Sequence, residues 1–217
     1  MIAATEGPSA LSARRLANES GTTTAAIYTL FGGMDSLRAA LTAQSLEDLG
    51  RSQAMITEEN SPVERLLALA HAYRTWALEH PNEYRSIFSD ALGLAVRRAG
   101  EVGERPNAVP TVPITAPDVF LASVDEAWEF SLTPLHRAVV AGIESGDFRG
   151  QSGDAGMLTA ATWSSLHGTV SLELVGVLDA TLSRLGSEVD TTTFFDDALS
   201  RLVAGLMSPA TARGAHA

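Results

Sequence analysis

Cysteine is absent from this chain of 217 residues. The sequence therefore excludes disulfides, thiolate nucleophiles and zinc sites built from cysteine, and it fits a reducing compartment such as the cytoplasm. Lysine is absent as well, because all 15 basic residues are arginine. Against 26 acidic residues they leave a net charge of −11, which excludes a wholly cationic surface for nucleic acid but not a local one.

The sequence also lacks a segment that would cross a membrane. Its longest charge-free run of helical character, residues 155–172, contains seven Ser, Thr or His residues and is too polar for a membrane span. The first residues do not show the basic, apolar and small-residue order of a signal peptide. We therefore expect a cytoplasmic protein without a membrane partner.

Signatures of the common enzyme classes are missing from the sequence. There is no phosphate loop, no glycine-rich dinucleotide fingerprint, no HExxH and no GxSxG. A metal site is not expected either, because His167 has no His or carboxylate partner at ligand spacing on its own helix. We predict no catalytic residue, no metal, no cofactor and a protein that is not an enzyme.

The patterns that are present are helical. Apolar residues recur at helical spacing and no sustained alternation marks a strand, so the sequence predicts an all-α fold of about nine helices without a sheet. Capping residues and prolines set the expected bounds, and residues 100–117 are expected to form a loop. The expected helices span residues 12–19, 23–31 and 35–52, a segment from a Ser61 cap to His80-Pro81, a short helix capped by Asn82, residues 119–145, where Pro134 either kinks the helix or restarts it, residues 154–178, and a last helix capped by Thr193.

Residues 11–41 contain two of these short helices, which meet at a tight turn. Gly21 stands in the turn, where glycine permits the backbone angle that is needed. Threonines open the second helix and can cap it or donate to phosphates and base edges. A small apolar core is expected beneath the turn, made of Leu16, Ile27, Phe31 and Leu37. This is the arrangement of a helix-turn-helix, which presents its second helix to the major groove.

This stretch resembles the helix-turn-helix of the TetR family of bacterial repressors. The resemblance depends on a Tyr-x-x-Phe pair followed by an acidic residue and a leucine, in register with a small residue and a glycine upstream. Nine residues match over 21 positions, and they are Ala17, Gly21, Thr23, Ala26, Ile27, Tyr28, Phe31, Asp35 and Leu37.

Some positions depart from the pattern of the family. Thr22 replaces a preferred valine, Leu30 replaces a histidine or tyrosine, and Met34 replaces a lysine that commonly faces a phosphate. Loss of one phosphate partner is expected to weaken DNA binding and to lower its salt dependence by about one unit of slope. The family also places a full helix before the motif. Because only Met1–Glu6 precede Gly7-Pro8, we expect a shortened first helix or a start codon farther upstream.

A second resemblance lies in the C-terminal half. The segments Trp163–Gly168 and Ser171–Leu174 are similar to the WHG-type ligand-binding domain of a TetR subfamily, and Pro81, Tyr84 and Arg85 match its His-Pro-x-x-Tyr-Arg segment. The expected organisation follows from the two resemblances. It consists of a DNA-binding domain over 1–50, an effector-binding and dimerisation domain over 51–208, and a disordered tail over 209–217.

The resemblance implies a DNA-binding surface on the second helix and at the start of the first. In the manner of the family, Tyr28 would hydrogen-bond a phosphate, whereas Thr24 and Ala25 would approach bases. The candidate DNA-binding residues are Ser12, Arg14, Thr23, Thr24, Ala25, Tyr28 and Thr29. The alternative is that they form an ordinary polar helix face.

Bulky residues on the middle helices are candidates for an effector pocket, since such pockets are mostly apolar with few polar groups. They are Tyr73, Trp76, Phe88, Trp128, Leu132, Trp163 and His167. The alternative for each of them is ordinary packing in the core.

Small residues around Gly168 would let a second helix approach closely. With the last helix, this stripe would form a four-helix homodimer interface. The candidate interface residues are Ala161, Ser165, Gly168, Leu172, Val175, Phe195, Leu199, Leu202 and Leu206. The alternative is packing within one subunit.

Two functional hypotheses follow. The first is a ligand-responsive transcriptional repressor, located in the cytoplasm at the nucleoid, that binds a palindromic operator in double-stranded DNA as a homodimer. A small hydrophobic effector of unknown identity would release it. The second is a helical small-molecule-binding protein that has lost DNA binding, which the short N-terminus, Met34 and the acidic charge favour.

Overall fold

The computed structural model describes residues 11–56, 61–88 and 116–208, with side chains from residue 123 onward in the last range. These residues form nine α-helices and no sheet, with a single β-bridge between Phe148 and Met207, so the expected all-α fold is confirmed. The helices are α1 (Ala13–Glu19), α2 (Thr24–Phe31), α3 (Met34–Ala54), α4 (Pro62–Glu79), α5 (Pro81–Ile87), α6 (Ala116–Ser145), α7 (Ala155–Leu174), α8 (Val177–Arg184) and α9 (Thr191–Leu206).

Side-chain caps fix the starts of three helices where the sequence places them. The Ser12 hydroxyl accepts from the Arg15 amide at 3.3 Å at the start of α1. Thr23 caps α2 by accepting from the Ala26 amide at 3.1 Å. Ser61 caps α4, and the Glu64 carboxylate accepts from the Ser61 amide at 3.0 Å to complete a capping box.

The turn between α1 and α2 depends on Gly21. Its φ of 62° lies in the left-handed region, which a residue with a Cβ rarely adopts. The Ser20 amide donates to the Leu16 carbonyl and the Thr22 amide donates to the Ala17 carbonyl, both at 2.9 Å. These bonds close α1 and direct the chain into α2.

An apolar cluster packs α1 against α2. Ala13, Ala17 and Ile27 are buried at its centre. Leu16, Phe31 and Met34 pack around them as partly buried residues. The expected contribution of Leu16, Ile27 and Phe31 is confirmed, whereas Leu37 is buried in α3 and not part of this cluster. Met34 packs against this apolar cluster, so its side chain contributes apolar surface at this position and no charge.

By its contacts the chain divides into two compact units. The first contains residues up to Arg51 and residues 79–131, and the second contains residues 52–78 and those from Leu132 onward. Within the first unit, the Thr42 hydroxyl donates to the Ser86 carbonyl at 3.3 Å. Farther along α3, a Cβ on Gly50 would lie 2.5 Å from two ring carbons of Phe130. Helix α3 therefore packs closely on α5 and on the first half of α6.

Several expected helix bounds are corrected by the structure. Helix α5 begins at Pro81, so Asn82 is inside its first turn and accepts from Arg85 at 3.1 Å instead of capping the helix. Helix α6 runs continuously through Pro134. Residues 100–115 of the expected loop lie outside the described residues, whereas its last two residues, 116 and 117, belong to α6. The N-terminal residues 1–10 and the tail from 209 also lie outside the described residues.

The C-terminal helices differ from expectation in two places, the end of α7 and the start of α9. The long helix expected over 154–178 ends at Leu174, because Gly176 adopts a φ of 70° and starts the separate helix α8. The cap of α9 is Asp190, whose carboxylate accepts from the Thr193 amide at 2.7 Å. Thr193 is therefore a first-turn residue and not the cap. No helix among the described residues is long and apolar enough to cross a membrane.

The end of α9 is pinned to the turn that follows α6. The Arg149 amide donates to the Leu206 carbonyl and the Ser208 amide donates to the Asp147 carbonyl, both at 2.8 Å. The Phe148 ring, which is 2% exposed, lies against Gly142 of α6. The absence of a side chain at Gly142 lets this ring enter the core of the second unit.

We expect Gly142→Ala to destabilise the protein. The new Cβ would overlap three ring carbons of Phe148, and overpacking of this kind costs about 1–3 kcal/mol. Urea unfolding followed by circular dichroism measures the change. The control is Gly156→Ala on α7, where no atom lies within 4 Å of the new Cβ and the helix should gain up to about 1 kcal/mol. Equal stabilisation by both substitutions would contradict the tight contact.

Candidate DNA-binding surface and regulatory domain

The outer face of α2 is presented to solvent on an apolar base. Ile27 is buried against α1, whereas Thr24, Ala25 and Tyr28 are exposed, Tyr28 to 52%. Thr29 is exposed too, but its hydroxyl donates to the Ala25 carbonyl at 2.9 Å and is satisfied by its own helix. Among the described residues, the side chains of Thr24 and Tyr28 have no such partner, so their hydroxyls remain to bind a ligand.

Charges around α2 are sparse and unevenly paired. Helix α2 has no charged residue. Arg15 pairs with Glu19 at 3.2 Å and Arg38 pairs with Asp35 at 3.0 Å. Arg14 is exposed in the first turn of α1, and it has no acidic partner within the part of the chain that the structure describes. Of the candidate residues, Arg14 is therefore the cation whose charge is not already neutralised.

One exposed residue of α2 was not among the sequence candidates. Leu30, on α2, is 68% exposed. The sequence shows it only as a departure from the family pattern, and periodicity gives no reason to assign it a role. Because residues two positions apart point to different sides of a helix, Leu30 does not extend the face that contains Thr24 and Tyr28.

The candidate pocket residues divide between the two units. Phe88 and Trp128 belong to the first unit, where the Phe88 ring contacts Tyr84 at 4.9 Å between centroids. The candidates in the second unit are Tyr73, Trp76, Leu132, Trp163 and His167. Among these, Tyr73 and Trp163 each contact His167.

His167 connects the aromatic residues of the second unit. Its Nδ1 lies 3.3 Å from the hydroxyl of Tyr73, a residue of α4 that is 4% exposed. Its Nε2 lies 3.3 Å from the Ser171 hydroxyl, and its ring stacks on Trp163 with centroids 5.4 Å apart. Burial lowers the pKa of His167, so the imidazole is neutral at pH 7 and one ring nitrogen accepts while the other donates. The group is polar but uncharged.

No cluster of three or more metal-ligating side chains occurs among the described residues. His136 of α6 is hydrogen-bonded to the Thr159 hydroxyl at 3.0 Å. The sites that the structure offers are therefore built from neutral hydrogen-bonding groups and aromatic surface.

Sequence reasoning missed a charged contact in the second unit. Arg74 of α4 donates from Nε to Glu173 Oε2 at 2.8 Å and from Nη2 to Oε1 at 2.6 Å. The two side chains are 13% and 8% exposed. Desolvation acts to raise the pKa of Glu173, but hydrogen bonds from Arg74 and Thr191 and the nearby guanidinium charge outweigh it and lower that pKa. The residues lie 99 positions apart, so no local pattern reveals the pair.

The candidate interface residues fall into two groups. On α7, Leu172 is 46% exposed, and Ala161 and Ser165 are exposed on the same stripe. Val175, which directly follows the end of α7, is 62% exposed. Gly168 is half-buried, with no atom within 4 Å of an added Cβ. The α9 candidates are mostly internal to the chain, since Phe195, Leu199 and Leu206 are at most 7% exposed and Leu202 is half-buried. Amphipathic periodicity identifies a buried face but does not say whether the same chain or a partner covers it.

We expect the stability of the protein to fall as the pH drops below about 6.5, in part through His167. The unfolded histidine takes up a proton near 6.5, whereas the folded one, with its lowered pKa, resists protonation. The free energy of unfolding therefore decreases from 6.5 down to the lower folded pKa. Urea unfolding between pH 5 and 8 measures the slope, which His167→Gln should reduce. An unchanged slope in His167→Gln would contradict this origin.

The sequence matches known proteins both in its C-terminal part and over nearly its whole length. The model of a domain described as "Tetracyclin repressor-like, C-terminal domain" matches residues 66–202. An HTH-type transcriptional regulator of Mycobacterium tuberculosis is 26% identical over 203 residues, covering 93% of this chain and 74% of the relative. Both the C-terminal and the whole-chain matches thus point to regulators of transcription.

Solved structures share the fold. A protein of unknown function from Rhodococcus sp. RHA1 aligns with a TM-score of 0.67 at 22% identity, over 94% of this chain and 89% of that one. The TetR family regulator PfmR from Thermus thermophilus aligns with a TM-score of 0.56 at 16% identity, over 94% and 93% of the two chains. Because the family domain covers more than half of the sequence and lies behind a helix-turn-helix, this chain belongs to the TetR family of transcriptional regulators and is not an enzyme.

Proposed function

We propose that this regulator is a repressor that binds a palindromic operator as a homodimer and leaves it when a small, largely apolar effector binds. The observation that carries the proposal is the outer face of α2. Its Thr24 and Tyr28 hydroxyls are exposed and without side-chain partners among the described residues, while Ile27 anchors the opposite face. A helix held in this way matches the recognition helix of a helix-turn-helix.

Hydroxyl and methyl groups supply the proposed base and phosphate contacts. Tyr28 donates to a phosphate, Thr24 approaches a base edge, and Ala25 presents apolar surface to a thymine methyl group. Arg14 provides a positive charge at the start of α1, where amide groups also face outward. Although the chain is acidic as a whole, α2 itself has no carboxylate that would repel the phosphates of DNA.

The exposed stripe on α7 is the proposed contact with a second copy. Ala161, Ser165 and Leu172 lie on it, and Gly168 leaves room for the close approach of another helix. A helix-interior glycine costs about 1 kcal/mol relative to alanine, and no contact among the described residues requires a glycine here. Three of the α9 candidates are buried in their own subunit, namely Phe195, Leu199 and Leu206. The proposed dimer interface therefore consists of the exposed positions of the α7 stripe.

The effector is proposed to bind in the regulatory domain beside Tyr73 and His167. The groups there are aromatic or neutral, and Arg74 and Glu173 neutralise one another, so an uncharged ligand with a hydrogen-bonding group suits them. Release of DNA requires that the effector bind one conformer more tightly than the other. Helix α3, which extends from the DNA-binding motif and contacts Ser86 of α5, is the element proposed to respond.

We expect Arg14→Ala to weaken binding to DNA that flanks the gene of this protein. Removal of one phosphate contact should lower the slope of log affinity against log salt by about 0.9. Fluorescence anisotropy at several salt concentrations measures both quantities. The control Arg184→Ala removes an exposed cation from α8 and should leave affinity and slope unchanged.

The same titration decides between the two functional hypotheses. Saturable, sequence-dependent binding by the unmodified protein supports the repressor. Absence of binding at low salt, for this chain and for one extended to an upstream start codon, would instead favour a small-molecule-binding protein that has lost DNA binding.

We expect Gly168→Leu to weaken self-association by at least about tenfold, which corresponds to about 1.4 kcal/mol. No described atom lies within 4 Å of a Cβ at this position, so the subunit leaves room for that atom, whereas the larger leucine side chain would block the close approach of a second helix. Sedimentation equilibrium measures the dimer dissociation constant. Gly156→Leu makes the same change on the same helix away from the stripe and should have little effect. Equal constants for the two variants would place the interface elsewhere.

A further inference from the structure

Arg74 lies where three helices of the second unit meet. From α4, its Nε and Nη2 donate to both carboxylate oxygens of Glu173, which is in the last turn of α7. Nη2 also donates to the Thr192 hydroxyl in the first turn of α9 at 3.0 Å. One guanidinium thus binds the end of α7 and the start of α9.

The position of Glu173 is not explained by its own helix. A carboxylate in the last turn of α7 is disfavoured by the negative end of the helix dipole. The pair with Arg74 is bidentate and is only 13% and 8% exposed, so solvent screens it much less than a surface ion pair. Glu173 therefore remains at this position because Arg74 compensates for its charge.

A second contact holds α9 to α4. The Arg74 guanidinium carbon lies 5.0 Å from the centroid of the Phe195 ring, which is 1% exposed. One turn earlier on α4, the His71 ring contacts the edge of Phe195 at 5.6 Å and lies 3.9 Å from the Asp196 carboxylate. His71 and Arg74, three residues apart on one face of α4, therefore contact the first two turns of α9.

The chain between α7 and α9 contains α8, which packs on α7, and it bends at Gly176 and Gly186, with φ values of 70° and 72°. Helices α7 and α9 also pack directly on each other. Glu173 directly follows Leu172 and precedes Val175, both of which are exposed on the proposed interface stripe. The contact through Arg74 therefore adds to this direct packing at the end of α7, where the stripe lies.

We infer that Arg74 is a positioning residue for self-association: by binding Glu173 it holds the end of α7, where the proposed interface stripe lies, against α4 and α9. The inference rests on the proposed homodimer. It assigns to α4, the helix that also contains Tyr73, a role in the strength of an interface that α4 does not itself form.

The test compares Arg74→Met with a matched ion-pair variant. Arg201→Met breaks the pair with Asp197 on α9, which has an N–O distance of 2.7 Å but side chains that are 77% and 61% exposed. We expect Arg74→Met to raise the dimer dissociation constant by about tenfold, which corresponds to about 1.4 kcal/mol. Arg201→Met should change it by less than about twofold, since exposed pairs contribute little. Sedimentation equilibrium measures the constants, and circular dichroism measures the melting temperature of each variant.

Further variants separate positioning from subunit stability. The exchange of charges in Arg74→Glu with Glu173→Arg should restore part of the lost affinity, whereas either substitution alone should not. Glu173→Gln keeps the shape of the side chain and gives the same comparison if Arg74→Met does not yield folded protein. A lowered melting temperature with an unchanged dissociation constant would overturn the inference, because Arg74 would then stabilise the subunit only.

The outcome for the unmodified protein distinguishes this inference from the proposed function. A dimer that Arg74→Met leaves intact overturns the role of Arg74 alone. An unmodified protein that stays monomeric at every concentration tested overturns both the homodimer and the inference that rests on it.

Discussion

The packing of Ile27 against Ala13 and Ala17 is the contact on which the DNA-reading surface depends. Helix α2 has only eight residues, and a helix of that length is not stable in water by itself. Burial of one side on α1, together with the Thr23 cap and the left-handed Gly21, supplies the stability that propensity does not. The exposed face is not required for packing, so Thr24 and Tyr28 are available for the proposed contacts with DNA.

The acidity of the chain is compatible with DNA binding because charge acts locally. At an ionic strength of 0.15 M, the screening length is about 8 Å, so distant carboxylates contribute little at the recognition surface. Near α2, the acidic Glu19 and Asp35 are each paired with an arginine. Met34, packed into the apolar cluster, supplies no charge, which leaves phosphate contacts to Arg14 and to hydroxyl and amide donors. Such a surface gains specificity from shape and hydrogen bonds while its electrostatic contribution stays small.

Features encoded by neighbouring residues could be predicted from the sequence, whereas features that depend on distant partners could not. The Ser61–Glu64 capping box and the turn at Gly21 each involve residues within one helical turn, and both are found as expected. Where two capping residues compete within a few positions, as Asp190 and Thr193 do, the sequence does not show which one starts the helix. The burial of Phe195 illustrates the larger limit. Its periodicity predicts a buried residue, but only the fold shows that its own subunit covers it.

The exclusive use of arginine has a structural consequence in the second unit. Arg74 makes two parallel bonds to Glu173, a third to Thr192, and a face contact with Phe195. A lysine ammonium is a compact charge without the planar fork, so it would not satisfy both carboxylate oxygens and stack on the ring at once. Other arginines of the chain, such as Arg51 and Arg201, pair with acids one turn away on exposed surfaces, where the type of cation matters little. The same residue type therefore serves two purposes, and only the buried contact between helices makes use of the geometry that distinguishes arginine from lysine.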